Sequence, residues 1–163
     1  IDVVASRILE QPVGGLPLLL GMTFVVAGVA FKLGAVPFHN WLPDVYQGAN
    51  TPVTMLVGSA PKLAAFAMAI RLLADGMEGL SDDWRDLLIV MAVLSLAVGS
   101  VVAIAQTNVK RLLAYSTIGH IGFLLLGMLA ANPMGYAAAL FYILIYVLMA
   151  LGAFAVLILL SQP

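Results

Sequence analysis

Two lysines and one histidine lie inside long apolar stretches of this sequence, and all three side chains can carry a proton. Lys62 lies near the middle of the apolar stretch 53–73, and Lys32 and His120 lie in two other stretches of this kind. A cation at the centre of a bilayer costs about 2.5–3.5 kcal/mol even on a lenient scale, so such residues usually face a bundle interior or a water-filled cavity. Imidazole can exchange a proton near neutral pH. We therefore predict that Lys32, Lys62 and His120 transfer protons.

Each of these residues also has a purely structural interpretation. Lys62 could pair with an acidic group only for packing, and His120 could hydrogen-bond a carbonyl of a neighbouring helix. Counted from the loop between the first two apolar stretches, Lys32 and Lys62 lie at similar depths, so on adjacent antiparallel helices they would be close together. Mutual repulsion and removal from water would then both help a lysine to release its proton. This placement favours the proton-transfer hypothesis.

The sequence offers no carboxylate at the depth of these lysines. All eight acidic residues fall outside the predicted spans, and the nearest is Asp44, in a loop. Because a buried cation needs a partner, either one lysine is neutral or the carboxylate comes from helices beyond this sequence. The chain starts at Ile1 and stops at Pro163, directly after an apolar run. We expect 1–163 to be a single membrane domain, a partial piece of a longer proton-translocating subunit.

The composition is that of an integral membrane protein. Hydrophobic residues make up 63% of the chain, charged residues 9%, and the mean hydropathy is +1.11. The net charge of −1 gives no basic surface for nucleic acid. Without cysteine there is no disulfide, no thiolate metal site and no iron–sulfur ligation. The sequence also lacks a P-loop, a dinucleotide glycine motif and paired histidines, so we expect no cofactor on this chain.

Five stretches are long and apolar enough to cross a membrane, which takes about 20 residues of helix. They run over roughly 17–38, 53–73, 87–105, 111–131 and 134–160. The connections are polar or rich in Gly, Pro, Asn and Asp, and the continuous apolar runs argue against barrel strands. The sequence predicts an all-α fold, a polytopic bundle of about five transmembrane helices, preceded by a loop over the first 16 residues.

The first of these helices is predicted to be discontinuous. Gly34 and Pro37 interrupt it, and such breaks place free carbonyls and amides at membrane depth, where they are tolerated if they line a cavity. Pro61 directly precedes Lys62 and cannot donate a backbone hydrogen bond. We therefore expect a free carbonyl near Val57 that can bind water or the ammonium group.

Other polar and small residues also have structural interpretations, although we expect four of them to support the proton-transfer residues: Pro37, His39, Asp44 and Pro61. His39 and Asp44 lie at the end of the first span, where a polar loop is expected, and Asp44 could cap a helix. Ser95, Gly99 and Ala103 fall four residues apart, a pattern that lets helix backbones approach closely. The tyrosines of the last span are interpreted as packing or interface residues; they are Tyr136, Tyr142 and Tyr146.

The alternation of the loops predicts which polar segments share a side of the membrane. Lys110 and Arg111, in the third connection, should lie on the same side as Asp44 in the first. The numbers of lysines and arginines on the two sides do not decide the orientation.

Three segments of the sequence resemble one family closely. They are "FKLGAVPFHNWLPDVYQGANTPVT", "APKLAAFAM" and "NVKRLLAYSTIGHIGFLLLG". The chain from Pro17 onward resembles the antiporter-like membrane subunits of respiratory complex I, the proton-translocating NADH:quinone oxidoreductase. "DVYQG" after "HNWLP" is more similar to subunit N than to subunits L and M or the Mrp-type cation/proton antiporters.

The resemblance implies a role for each candidate residue. Lys32 matches the lysine of the family's broken helix, Lys62 the lysine of the following helix, and His120 a histidine, all on a central hydrated proton axis. A glutamate of an earlier helix and a lysine of a later one would lie outside this sequence. Pro61 departs from the small residue more usual beside the second lysine, which puts the local helix geometry in question.

The resemblance also implies partners and a location. The partners would be other membrane subunits of complex I, the lipid bilayer and the remaining helices of the same subunit. Other subunits would bind NADH, FMN, iron–sulfur clusters and quinone. The location would be the bacterial inner membrane. The segments "HNWLPDVYQG" and "NVKR" would lie on the cytoplasmic side of that membrane. The alternatives are a Mrp-type antiporter subunit, which an acidic pair at membrane depth would favour, and an inert scaffold, which needs no intramembrane lysine.

Overall fold

The structure is a computed structural model that describes Ser6 and residues 15–161. Its described residues form helices and no strands. The α-helices are α1 Leu16–Leu33, α2 Trp41–Gly48, α3 Thr51–Gly58, α4 Ala60–Ala69, α5 Ser81–Ile104, α6 Val109–Leu129 and α7 Pro133–Leu160. A π-helical segment, Ile70–Asp75, continues α4, and a short 3-10 helix, Glu78–Leu80, leads into α5.

Five helices among the described residues are long and apolar enough to cross a membrane. They cover Leu16–Leu33, Thr51–Asp75, Glu78–Ile104, Val109–Leu129 and Pro133–Leu160. This confirms the predicted all-α polytopic bundle. The third spanning helix, which contains α5, begins before residue 87, where the sequence predicted its start. Asp82 and Asp83 occupy the first turn of α5, where the partial positive charge of the helix N-terminus favours acidic side chains. The loop predicted for the first 16 residues lies outside the described residues except at Ser6, which is helical, and Leu16, where α1 begins.

The first span is broken at Gly34, as predicted, so its first helix ends before residue 38, the predicted end of the span. Helix α1 ends at Leu33, and Gly34 follows in the left-handed conformation with φ of 85°. The Gly34 N–H binds the carbonyls of Ala30 and Phe31, which closes the helix end as a left-handed glycine cap commonly does. The turn that follows contains a cis peptide bond before Pro37, and the chain re-enters a helix at Trp41.

The second span is also interrupted. Ser59, with φ of −116° and ψ of −91°, separates α3 from α4, and its hydroxyl donates to the Met55 carbonyl at 2.7 Å. Pro61 therefore stands in the first turn of a new helix, where its missing N–H would have no intrahelical partner in any case. The span predicted over 53–73 is therefore not one regular helix, because the α-helix stops at Gly58 and restarts at Ala60, one residue before the proline.

Helices α5 and α6 approach each other at two glycines. A methyl group added to Gly99 would lie 2.3 Å from the backbone nitrogen of Gly119, so no side chain fits between the two backbones. Ser95 and Gly99 are both buried. The stripe of small residues thus packs against a helix, as predicted.

The apolar core has two parts. The larger cluster draws buried side chains from α1, α4, α5, α6 and α7 and includes Phe66 and Trp84. The smaller one lies around α2 and contains Leu42, Tyr46 and Phe154. The break after α1 lies between them, because Ala35 belongs to the larger cluster and Val36 to the smaller.

Candidate functional site

Lys62 is buried at the broken end of α1 and is held there by the main chain. Its side chain is 1% exposed, its Nζ atom donates to the carbonyl of Leu33, and the same atom lies 5.5 Å from the centre of the Trp41 ring. Leu33 is the last residue of α1, so its carbonyl belongs to the unpaired group at the partially negative end of the helix. The sequence predicted that a carbonyl near Val57 would bind the ammonium group, but the Leu33 carbonyl binds it instead.

This arrangement gives the ammonium group partners without a carboxylate. A helix C-terminus and an aromatic face both attract a cation, and both attractions are stronger where water is excluded. The structure therefore offers a third solution besides the two that the sequence left open, a neutral lysine or a carboxylate from elsewhere. Gly34 is part of it, because a methyl group there would lie 3.4 Å from Lys62 Nζ.

Two further hydrogen bonds hold the broken segment in place. The Val36 N–H donates to the Ser95 hydroxyl at 2.9 Å, in a buried position. The Trp41 indole N–H donates to the Phe31 carbonyl at 3.0 Å. Backbone groups that lose their helical partners inside a membrane need other partners, and these side chains supply them. Ser95 thus has a hydrogen-bonding role in addition to the packing role predicted for it.

Lys32 and Lys62 line one cavity. Lys32 lies in the last turn of α1 and is exposed on the surface of this chain. The cavity has a volume of about 330 Å³, and its lining residues are Phe31, Lys32, Trp41, Val57, Pro61 and Lys62. The proximity expected from their similar depths is therefore found. No acidic residue of the described chain is among those that line the cavity.

His120 lies on α6, away from the cavity of the two lysines. Two cavities border it, of about 310 Å³ and 280 Å³, and neither shares a lining residue with the lysine cavity. Its Nδ1 atom lies 2.7 Å from the hydroxyl oxygen of Tyr142. The ring of Tyr146 packs beside it, with the two ring centres 5.0 Å apart. The structure thus brings the two lysines together and leaves the histidine in a separate site.

The tyrosines of α7 do more than the predicted packing. Tyr146 is 6% exposed, and its hydroxyl donates to the Thr117 hydroxyl oxygen at 2.8 Å. Tyr142 contacts His120 directly. Residues four apart on a helix share one face. The spacing of Tyr142 and Tyr146 could therefore have predicted that both contact the same neighbouring residue.

The loop side of the bundle carries the one long-range ion pair of the described residues. The Arg111 guanidinium donates to the Asp44 carboxylate at 2.7 Å, and Lys110 Nζ donates to the Ala49 carbonyl at 2.9 Å. These contacts confirm that the two loops share a side. Asp44 does not cap a helix, because it lies within the first turn of α2, whose N-cap position is Asn40. An exposed pair of this kind contributes little to stability.

The remaining predicted residues lie at the turn between α1 and α2. His39 is half-buried, and burial lowers its pKa, which a backbone hydrogen bond at Pro37 only partly offsets. Its imidazole is therefore neutral at pH 7. Pro37 itself is exposed in the turn. Neither residue lines the lysine cavity. Within the described ranges, no three His, Cys, Asp or Glu side chains are grouped as metal ligands would be.

Comparison with known proteins gives consistent matches. The family model described as "NADH:quinone oxidoreductase/Mrp antiporter, TM" matches residues 5–162. NADH-quinone oxidoreductase subunit N of Thiobacillus denitrificans is 59% identical over 147 residues, which are 90% of this chain and 30% of the relative. The subunit N of Thioalkalivibrio sulfidiphilus is 61% identical over 146 residues, again 90% of this chain and 30% of the relative. The chain thus spans under a third of the length of these relatives.

A solved structure is also similar. It is that of the membrane-bound sulfane sulfur reductase, an archaeal respiratory membrane complex, with a TM-score of 0.70 and 28% sequence identity. The match covers 84% of this chain and 28% of the other.

Proposed function

Because the chain belongs to the NADH:quinone oxidoreductase/Mrp antiporter family of transmembrane proteins, we propose that it is a proton-conducting piece of a membrane subunit of NADH:quinone oxidoreductase, respiratory complex I. Lys32, Lys62 and His120 transfer protons across the membrane, and electron transfer elsewhere in the complex drives the transfer. The similarity to subunit N of several bacteria supports this assignment. The chain is a multi-pass membrane protein, and bacterial relatives support a place in the inner membrane.

One observation carries the proposal. A lysine that is 1% exposed at membrane depth borders the same cavity as a second lysine, and no acidic residue of the described chain lines that cavity. A purely structural lysine is best paired with a carboxylate, whereas a proton carrier must be able to lose its charge. The cavity volume of about 330 Å³ leaves room for several water molecules, since each takes about 30 Å³ in the liquid.

The chemistry is one proton transfer per step. The Lys62 ammonium gives a proton to water or to the neutral amine of Lys32 in the shared cavity and becomes a neutral amine. That amine still has N–H groups to donate to the Leu33 carbonyl, so the loss of charge does not leave the carbonyl without a donor. Proton uptake from the other direction restores the ammonium. His120, in its own site, would carry the proton onward between its two bordering cavities.

The same proposal implies which subunits and helices would surround this membrane domain. Other membrane subunits of complex I, and the remaining helices of the same subunit, would cover the exposed apolar faces of this single membrane domain. The redox centres, NADH and quinone would be bound by other subunits. The Mrp-type cation/proton antiporter is the alternative, and the relatives named subunit N favour complex I over it.

Replacing Lys62 by methionine in the full-length subunit tests the proposal. The thioether fills the space of the lysine stem but cannot carry a proton. We expect the assembled complex to lose most of its proton translocation, measured as the rate of acidification of vesicles during NADH oxidation, and its NADH oxidation to fall with it. Native electrophoresis establishes that the complex is assembled.

Lys110→Met is the matched control. That lysine lies at the start of α6 and binds a loop carbonyl, so its loss should leave translocation close to that of the unchanged complex. Normal translocation in an assembled Lys62→Met complex would contradict the proposal.

A further inference from the structure

The imidazole of His120 lies between two tyrosines of α7. On one side Nδ1 is 2.7 Å from the Tyr142 hydroxyl oxygen, a short distance for a hydrogen bond between nitrogen and oxygen. On the other side the Tyr146 ring is 5.0 Å away, centre to centre. Because the two tyrosines are one helical turn apart, a single face of α7 sets both the position and the orientation of the ring.

The two tyrosines differ in what their hydroxyls do. The Tyr146 hydroxyl donates to Thr117, which in turn donates to the Leu113 carbonyl at 2.8 Å. Tyr146 is thus anchored by its own hydrogen bond and acts on His120 through ring packing. Tyr142 has the His120 nitrogen as the hydrogen-bond partner of its hydroxyl. Of the two, Tyr142 is therefore the residue that can respond to a change in protonation.

A phenol suits a partner that changes charge. A tyrosine hydroxyl can donate one hydrogen bond and accept another, so the Tyr142 oxygen can accept from Nδ1–H in both the neutral imidazole and the imidazolium. The proton is then gained or lost at Nε2, and the ring does not have to move. Nε2 makes no hydrogen bond within the described part of the chain, so it is the nitrogen left to exchange a proton with the cavities.

The surroundings of His120 contain few other ionisable groups. The described residues that line its two bordering cavities, and the small gap between His120 and the two tyrosines, come from α5, α6 and α7 and include no Asp, Glu, Lys or Arg. Tyr142 and Tyr146 are the ionisable side chains among them besides His120. The chemistry at this ring is thus controlled mainly by α7.

We propose that Tyr142 is a positioning residue for proton transfer at His120, holding Nδ1 in both protonation states so that Nε2 takes up and releases the proton. This inference rests on the proposed function. It assigns to Tyr142 a role that neither packing nor a place at the membrane interface requires.

Tyr142→Phe in the full-length subunit of the assembled complex provides the test. The ring and its packing remain, and only the hydroxyl is lost. Losing one such hydrogen bond should lower proton translocation about 2- to 10-fold and change its dependence on pH. Tyr136→Phe is the control, because Tyr136 lies on the same helix and its hydroxyl makes no hydrogen bond in the described part of the chain. We expect the control to match the unchanged complex in rate and pH profile.

The double variant His120→Gln with Tyr142→Phe separates positioning from packing. If Tyr142 acts through His120, adding Tyr142→Phe to His120→Gln should cause little further loss, whereas independent effects would multiply. If Tyr142→Phe prevents assembly, a fluorotyrosine at position 142 keeps the ring and hydroxyl but changes its acidity. A shifted pH profile is then expected at position 142 and an unchanged one at position 136.

Three outcomes would overturn the inference. They are a pH profile of Tyr142→Phe equal to that of Tyr136→Phe, effects that multiply in the double variant, and an unshifted profile with fluorotyrosine. These failures are distinguishable from failure of the proposed function, which Lys62→Met tests independently. If Lys62→Met stops translocation while Tyr142→Phe behaves like its control, only the inference about Tyr142 is wrong.

Discussion

Lys62 and His120 are both basic groups inside the bundle, and the protein holds them in different ways. Lys62 is held by the main chain, through the Leu33 carbonyl at the broken end of α1. His120 is held by a side chain, through the Tyr142 hydroxyl on an unbroken helix. A carbonyl can only accept a hydrogen bond, whereas a hydroxyl can accept or donate. The first site thus depends on backbone geometry, and the second on one functional group.

This difference predicts which kind of substitution should impair each site. The Lys62 site should be sensitive to any change that alters the turn after α1, including changes at residues that never touch the lysine. The His120 site should tolerate such changes in the backbone of α1 and respond to the removal of single hydroxyl groups. Substitutions of comparable size in the two regions should therefore have different effects on proton translocation.

Gly34→Ala should have the largest effect of the changes that leave the proton carriers intact. At φ of 85°, an alanine costs about 1–2 kcal/mol, and its methyl group would lie 3.3 Å from Leu42 Cδ2 and 3.4 Å from Lys62 Nζ. We expect a several-fold loss of proton translocation in the assembled complex, because the turn must move and the Leu33 carbonyl moves with it.

Gly28→Ala in the same helix is the control for this change. A methyl group at Gly28 meets no atom of the described chain within 4 Å, and alanine in a helix interior is about 1 kcal/mol more favourable than glycine. Normal translocation is expected there. Equal activity of the two variants would show that the Lys62 site does not depend on the backbone break.

Ser95→Ala should have a smaller effect that appears mainly in stability. It leaves the buried N–H of Val36 without its acceptor, which costs about 1–3 kcal/mol. We expect the assembled complex to lose this subunit at a lower temperature, with a modest loss of translocation. Thr23→Ala, which removes an exposed hydroxyl that donates only to the Leu19 carbonyl of its own helix, should leave both unchanged. A thermal stability of Ser95→Ala equal to that of Thr23→Ala would argue against a role for the hydroxyl in holding the break.

Much of the fold could be predicted from the sequence. The five spans follow from hydrophobic length alone, and Gly34 and Pro37 reveal the break in the first of them. The restart at Ala60 was missed, because a proline in an apolar run looks the same whether it kinks a helix or begins one. Only the tertiary structure decides between the two.

The candidate site was predicted in part. The rarity of lysine at membrane depth was enough to single out Lys32 and Lys62, and their depths placed them together. The acceptor for Lys62 could not be predicted, because every residue carries a carbonyl and only the fold decides which one faces the ammonium. The same holds for Ser95 and Tyr142, whose residue types are common in packing and whose hydrogen bonds join distant parts of the chain.

Exchanging Lys62 for arginine is the direct test of whether this lysine takes up and releases a proton. Arginine keeps the positive charge and can still donate to the Leu33 carbonyl, but it stays protonated at any accessible pH. The measurement is the rate of proton translocation during NADH oxidation in vesicles that contain the assembled complex, with Lys32→Arg as the parallel variant in the same cavity. We predict that translocation is lost in Lys62→Arg and impaired in Lys32→Arg. Full translocation in the assembled Lys62→Arg complex would show that Lys62 is a fixed charge and would contradict the account.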